Sequence, residues 1–217
     1  MKHEAMTILG AVAGLAMVFS AARAGPATTQ SSDGAVGGSI QGTVTAEGDV
    51  PLSEMVVFLE SPDPNRSMPP VPTAVKVSQK GAQFAPKMVV VTVGQAVEFP
   101  NDEDRPIEHN VFSNSTAKRF DLGVYGPGQS KTIVFDKPGP VVLYCSIHRE
   151  MDGVVYVSPT PYTSRVENNG HYQIDNVPPG EWVVKTWQRR RRFAEKSIPI
   201  TVETGQSKTV DLELTRR

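Results

Sequence analysis

Short apolar runs, some alternating with polar residues and some continuous, recur along this chain, and many of them stop at Gly, Pro, Asn or Asp. Residues 39–45 alternate (Ser-Ile-Gln-Gly-Thr-Val-Thr), a turn follows at 48–52, and residues 55–60 (Met-Val-Val-Phe-Leu-Glu) read as a second strand. Further strands are predicted over 140–144 and 153–157, and then over 163–166, 168–174, 177–187, 197–202 and 208–214. No stretch of the mature chain keeps a helical period. The pattern predicts an all-β protein.

Two kinds of interruption divide the strands. Residues 1–24 have a short basic start, an apolar core from Ile8 to Phe19 and a small-x-small end at Ala22-Arg-Ala. This reads as a secretory signal, with an apolar run too short to span a bilayer comfortably. The expectation is a periplasmic product with no stable membrane insertion after cleavage. Residues 25–38, rich in Thr, Ser, Ala and Gly, read as a flexible leader. Residues 61–73 carry five prolines, cannot pair in a central sheet, and read as a semi-rigid linker.

Charge excludes one class. Lys and Arg number 22 against 23 Asp and Glu, so nucleic acid is not an expected partner. No P-loop, Gly-x-Gly-x-x-Gly or Gly-x-Ser-x-Gly motif occurs. There is one cysteine, Cys145, and an exported chain with one cysteine cannot close an internal disulfide. An unprotected thiol is a liability in an oxidising compartment, and ligation to a metal would remove it.

Cys145 is followed at intervals of three by His148 and Met151, and a second imidazole, His109, opens a distant His-Asn-Val-Phe-Ser run. A strand cannot turn all three of the closely spaced side chains to one point, because successive residues alternate faces. A tight loop leaving the 140–144 strand can. Two imidazoles, one thiolate and a thioether suit a single copper ion of the blue type, with the Met sulfur as weak axial ligand. Other readings of the same residues are a buried apolar thiol, a nucleophile with its base, and zinc, for which Met is a poor fourth ligand. Glu108 and Glu150 stand beside two of these residues, and a carboxylate in the metal sphere would give a harder, non-blue site.

At these positions the chain resembles the cupredoxins, the family of plastocyanin, amicyanin and pseudoazurin. The His-Asn pair is met by His109 and Asn110, the Cys-x-x-His by Cys145 and His148, and the nearby Met by Met151. The likeness extends over residues 74–158, including the strand-like run 84–101 and the turns at 120–123, 126–130 and 137–140. It is similar to methylamine-utilisation-type cupredoxins, though no residue here specifies an amine. The resemblance implies a Greek-key β-sandwich, one type 1 copper ion, and an electron port at His148. It also implies that Asn110 joins the two ligand loops through Ser146, while a backbone N–H points at the Cys145 sulfur. The chain departs from the family at Ile147, often Pro there, and at Arg149 and Glu150, where many members carry an apolar rim.

The C-terminal part, 159–217, resembles a transthyretin-like, carboxypeptidase-regulatory-type β-sandwich at Gly170-His-Tyr-Gln-Ile and Val177-Pro-Pro-Gly-Glu-Trp. The opening strands of that family are absent from the tail but present at Gly42-Thr-Val and Pro51-Leu. The expectation is a split sandwich, 39–60 with 159–217, carrying the cupredoxin unit as an insertion.

Three further candidates remain. His171, with no other donor near it in sequence, reads as a solvent-facing strand residue. Asp102, Glu103 and Asp104 are contiguous, without the opposed placement that paired acid/base work needs. Arg189, Arg190, Arg191 and Arg192 form a run that reads either as a solvated loop tip or as a docking patch for an acidic redox partner. The expected function is one-electron transfer between protein partners such as a cytochrome or a dehydrogenase, without enzymatic activity. The alternatives are copper storage, copper delivery or partner docking.

Overall fold

The computed structural model describes residues 37–48 and 50–217. The signal reading over 1–24 and most of the leader over 25–38 lie outside the described residues. Every regular element among the described residues is a strand, apart from one 3-10 turn at Leu52–Glu54. No helix there is long and apolar enough to cross a membrane.

Four of the five sheets among the described residues stack with three apolar cores between them; the fifth is the two-stranded ribbon of Ser78–Gln79 and Phe84–Ala85. The first sheet places Gly38–Ala46 beside His171–Val177, with Ser207–Thr209 and Leu212–Leu214 on its other edge. The second runs Thr163–Arg165, Met55–Glu60, Gly180–Gln188, Ser197–Val202. Between them lie Ile40, Val44, Val57, Leu59, Tyr172 and Trp182. The third sheet runs Met88–Thr92, Asp152–Ser158, Gly139–Tyr144, His109–Asn114, Arg119–Tyr125. The fourth runs Ser130–Val134, Ala96–Pro100, Val75–Lys76. Phe99, Val111, Phe135, Leu143 and Val155 fill the space between the third and fourth. Strands before residue 61 thus share sheets with strands after residue 162, and those from 75 to 158 form sheets of their own.

Two inner strands, Met55–Glu60 of the second sheet and Asp152–Ser158 of the third, are buried on both faces, and period-2 geometry explains why they are almost wholly apolar. In Met55–Glu60, Met55, Val57 and Leu59 face one core while Val56 and Phe58 face another. In Asp152–Ser158, Val155 and Val157 face inward toward the fourth sheet, whereas Val154 and Tyr156 face the second sheet. The third core is therefore a seam of Val56, Phe58, Met88, Val154, Tyr156 and Trp187. Trp187 stacks on Tyr156 with ring centroids 4.5 Å apart, and Phe58 lies 5.5 Å from the same ring. Burial pushes the Tyr156 phenol well above its ordinary pKa.

One expectation needs correction in detail, and one segment gains contacts that the sequence does not show. The strand expected over 208–214 is broken in two, because the Asp211 carboxylate accepts the Thr43 N–H at 2.8 Å while the flanking segments pair separately with Gly38–Ala46. The 61–73 segment forms no strand, yet it is tied down. The Arg66 guanidinium donates to the Pro179 and Glu181 carbonyls and lies 4.4 Å over the Trp182 ring.

Trp187 is 6 % exposed and carries much of the seam. Trp187→Ala is expected to cost about 3–5 kcal/mol, the range for deleting a large buried aromatic, read as a fall in the midpoint of reversible denaturant unfolding.

Candidate metal centre

The Gly139–Tyr144 strand ends where its partner Asp152–Ser158 begins, with Tyr144 opposite Asp152. The seven residues between them must turn the chain within that span. Two backbone bonds close the loop: Cys145 N–H to the Met151 carbonyl at 3.3 Å, and Met151 N–H to the His148 carbonyl at 3.0 Å. The closed loop turns Cys145 and Met151 into the core, at 6 % and 1 % exposure. Ser146, Ile147, Arg149 and Glu150 face solvent, and His148 is half-buried between the two groups.

His109 reaches the same point from the start of the neighbouring strand, His109–Asn114, and is wholly buried. Its Nδ1 lies 3.2 Å from Nδ1 of His148, and Cys145 Sγ lies 3.8 Å from that same His148 nitrogen. The three donor atoms all fall within 4.8 Å of one another. Bonds of about 2.0–2.1 Å to nitrogen and about 2.3 Å to sulfur, set in a trigonal plane, separate the donors by roughly 3.5–3.8 Å. The Cys145–His148 spacing agrees with that separation and the two imidazole nitrogens lie somewhat closer, so the three donors could hold one ion. Neither Glu108 nor Glu150 belongs to this group; both are exposed. Met151 lies in the same apolar core as Cys145.

The surrounding hydrogen bonds settle which atoms face inward. His109 Nε2 contacts the Glu103 carboxylate at 2.9 Å, and that oxygen also accepts the Ala82 N–H at 3.1 Å. The bond from His109 holds the Glu103 carboxyl below the usual carboxylate range, against the opposing cost of its burial. A carboxylate accepts, so this contact favours the His109 tautomer with its proton on Nε2, which leaves Nδ1 facing Cys145 and His148. Asn110 works on both ligand segments. Its N–H approaches Cys145 Sγ at 3.5 Å, and its side-chain oxygen accepts the Ser146 N–H at 3.3 Å. Its amide nitrogen is held in turn by Asp121 at 2.6 Å.

Glu103 is what reading the sequence missed. Its side chain is 5 % exposed, whereas the acidic run around it suggests solvated charge. The 101–108 loop owes its shape to buried Asn101, whose amide donates to the Ile107 and Tyr125 carbonyls at 3.0 and 3.1 Å and whose oxygen accepts the Glu103 N–H. An acidic residue six positions before the first His was the available signal.

The other candidates lie apart from the three donors. His171 faces Glu167 at 3.7 Å on the surface. Within the arginine run, Arg189 is partly buried: it pairs with Asp152 and, at 3.4 Å, with Glu54. Arg190 reaches Glu54 at 3.3 Å, and Arg191 and Arg192 are exposed.

No family model matches the chain, and no characterised sequence does. Among solved structures it is similar over part of its length to a purple cupredoxin from Nitrosopumilus maritimus, at 25 % identity and a TM-score of 0.35, covering 39 % of this chain and 99 % of that one. An oxidised amicyanin variant gives 19 % identity and a TM-score of 0.35 over 39 % of this chain and 82 % of that one. A copper-containing nitrite reductase from Thermus scotoductus gives 26 % identity and a TM-score of 0.38 over 52 % of this chain and 28 % of that one.

Partners that orient a ligating imidazole are typically worth 10–100-fold in metal affinity. Glu103→Ala is therefore expected to weaken metal binding at this cluster by about that factor, measured by competition with a chelator of known affinity.

Proposed function

We propose that this chain binds one type 1 copper ion and carries single electrons between protein partners in the periplasm. The observation that carries the reading is the convergence of His109 Nδ1, Cys145 Sγ and His148 Nδ1 within 4.8 Å. In this reading Met151 would supply a weak fourth donor, and Asn110 and Ser146 join the two ligand segments. Bound copper would supply the Cu(II)/Cu(I) couple. The protein's part is to keep the ligands still, because donors held on a rigid frame change geometry little between the two states. Closure of the loop on itself, the Asn110 link to Ser146 and the Glu103 link to His109 all serve that end.

Of the three close donors only His148 approaches the surface, which suits it as the route for the electron. The remainder of the chain, 39–60 with 159–217, is read as a transthyretin-like sandwich that flanks the copper unit over 74–158. Delivery of copper is less well supported, since two of the three close donors are almost completely buried and a delivered ion must leave easily. Because Arg189 is engaged internally, docking of an acidic cytochrome or dehydrogenase falls to Arg190, Arg191 and Arg192. Surface charge of this kind acts mainly on encounter rates.

The deciding experiment is an absorption and electron spin resonance spectrum of the exported protein after copper addition. An intense visible thiolate-to-copper band is expected, and Cys145→Ser should abolish it. Met151→Leu should keep the colour and raise the potential, because a donor to Cu(II) is lost; an unaltered spectrum and potential would remove Met151 from the site. Replacing Arg190, Arg191 and Arg192 by Ala should slow reaction with an acidic redox partner and flatten its salt dependence, as read by stopped-flow kinetics.

A further inference from the structure

Met151 and Asp152 are chain neighbours with opposite outlooks. Alternation along Asp152–Ser158 turns Met151, Val155 and Val157 toward the core that contains Cys145. It turns Asp152, Val154 and Tyr156 toward the second sheet. Asp152 also forms the base of the ligand loop, since it stands opposite Tyr144 and the next bond inward joins Cys145 to Met151.

Arg189 meets Asp152 from the other side of the seam. It lies two residues beyond Trp187 and therefore shares that residue's face. One arm of its guanidinium binds the Asp152 carboxylate, and the other reaches Glu54 at 3.4 Å. Its backbone N–H donates to the Glu54 carbonyl at 3.2 Å. The turn that presents it is fixed by buried Gln188, whose side-chain oxygen accepts the Arg192 and Phe193 N–H groups at 2.8 and 3.0 Å. The arginine is thus set in place before it meets Asp152, which lowers the entropy lost in forming the pair. Its side chain is 21 % exposed and that of Asp152 40 %, so the pair adds little to stability, on the order of 0–1 kcal/mol. Its consequence is local: it fixes the direction of a carboxylate next to Met151 and holds it toward the second sheet.

We infer that Arg189 is a positioning residue for the copper centre, acting through Asp152 to hold the Met151 end of the ligand loop and to keep the Asp152 carboxylate turned away from the metal. This rests on the copper reading above. Loss of Arg189 releases the Asp152 carboxylate to turn toward the metal, where its nearer negative charge favours Cu(II) over Cu(I) and lowers the reduction potential.

The test is a cycle of Arg189→Gln, Asp152→Asn and the double variant in the full chain, read by potentiometric titration of the copper band. Arg189→Gln should lower the Cu(I)/Cu(II) ratio about threefold at fixed solution potential, about 28 mV at 59 mV per decade, while the band keeps its intensity. In the Asp152→Asn background the same substitution should do nothing. An equal shift in both backgrounds overturns the inference, since Arg189 would then act by its own field; so does an unshifted Arg189→Gln. If Arg189→Gln does not fold, Asp152→Asn still reads the carboxylate, and an unchanged potential there overturns the inference. A wild-type chain that develops no thiolate band with copper sinks the copper reading instead. The brace is then read separately by amide hydrogen exchange of the metal-free protein, where residues 145–152 should exchange faster in Arg189→Gln and equal rates overturn it.

Discussion

One strand, Asp152–Ser158, serves two cores at once, and the arrangement of the described chain follows from that constraint. Its odd-numbered residues complete the core that contains Cys145, and its even-numbered residues complete the seam against the second sheet. A slip of one residue would exchange the two sets and place Asp152 in the apolar core. Register is therefore over-determined, by antiparallel pairing to Gly139–Tyr144 on one side and parallel pairing to Met88–Thr92 on the other. The ligand loop hangs from the start of this strand, so its geometry inherits the register.

The same logic explains how donors so far apart in sequence meet with little local strain. His109 and Cys145 sit at the same end of adjacent strands, and Tyr144 pairs with Phe112 between them. No side chain has to reach far. The polar groups around the donors then select orientation rather than position. Glu103 favours the His109 tautomer with its proton on Nε2, and Asn110 spaces the Cys145 loop from the neighbouring strand. Each of these groups is itself held by a further bond, Glu103 through Ala82 and Asn110 through Asp121. Chains of this kind let a partly buried polar cluster be satisfied throughout, which is the condition under which it rigidifies a site.

Strand and turn chemistry made the all-β architecture legible, because alternation and Gly/Pro punctuation are local signals. The donors could be singled out because a lone cysteine with His three residues on and Met six residues on is a spacing that a buried apolar thiol does not require. The rest is long-range. Glu103 lies in a run of three acids whose burial depends on Asn101 and on a backbone N–H twenty-one residues away. Arg189 lies in a run of four arginines, and its partners are 135 and 37 residues distant. The apolar content of 55–59 and 153–157 marked strands without revealing that both faces were covered. That fact needs the partner sheet, which no window of sequence contains.

The central claim is that two imidazoles and one thiolate hold a single copper ion. Extended X-ray absorption at the copper edge of the loaded protein tests it most directly. The account predicts two nitrogen scatterers and one short sulfur scatterer per copper, with one copper per chain. A first shell of nitrogen and oxygen alone, with no short sulfur, would contradict it.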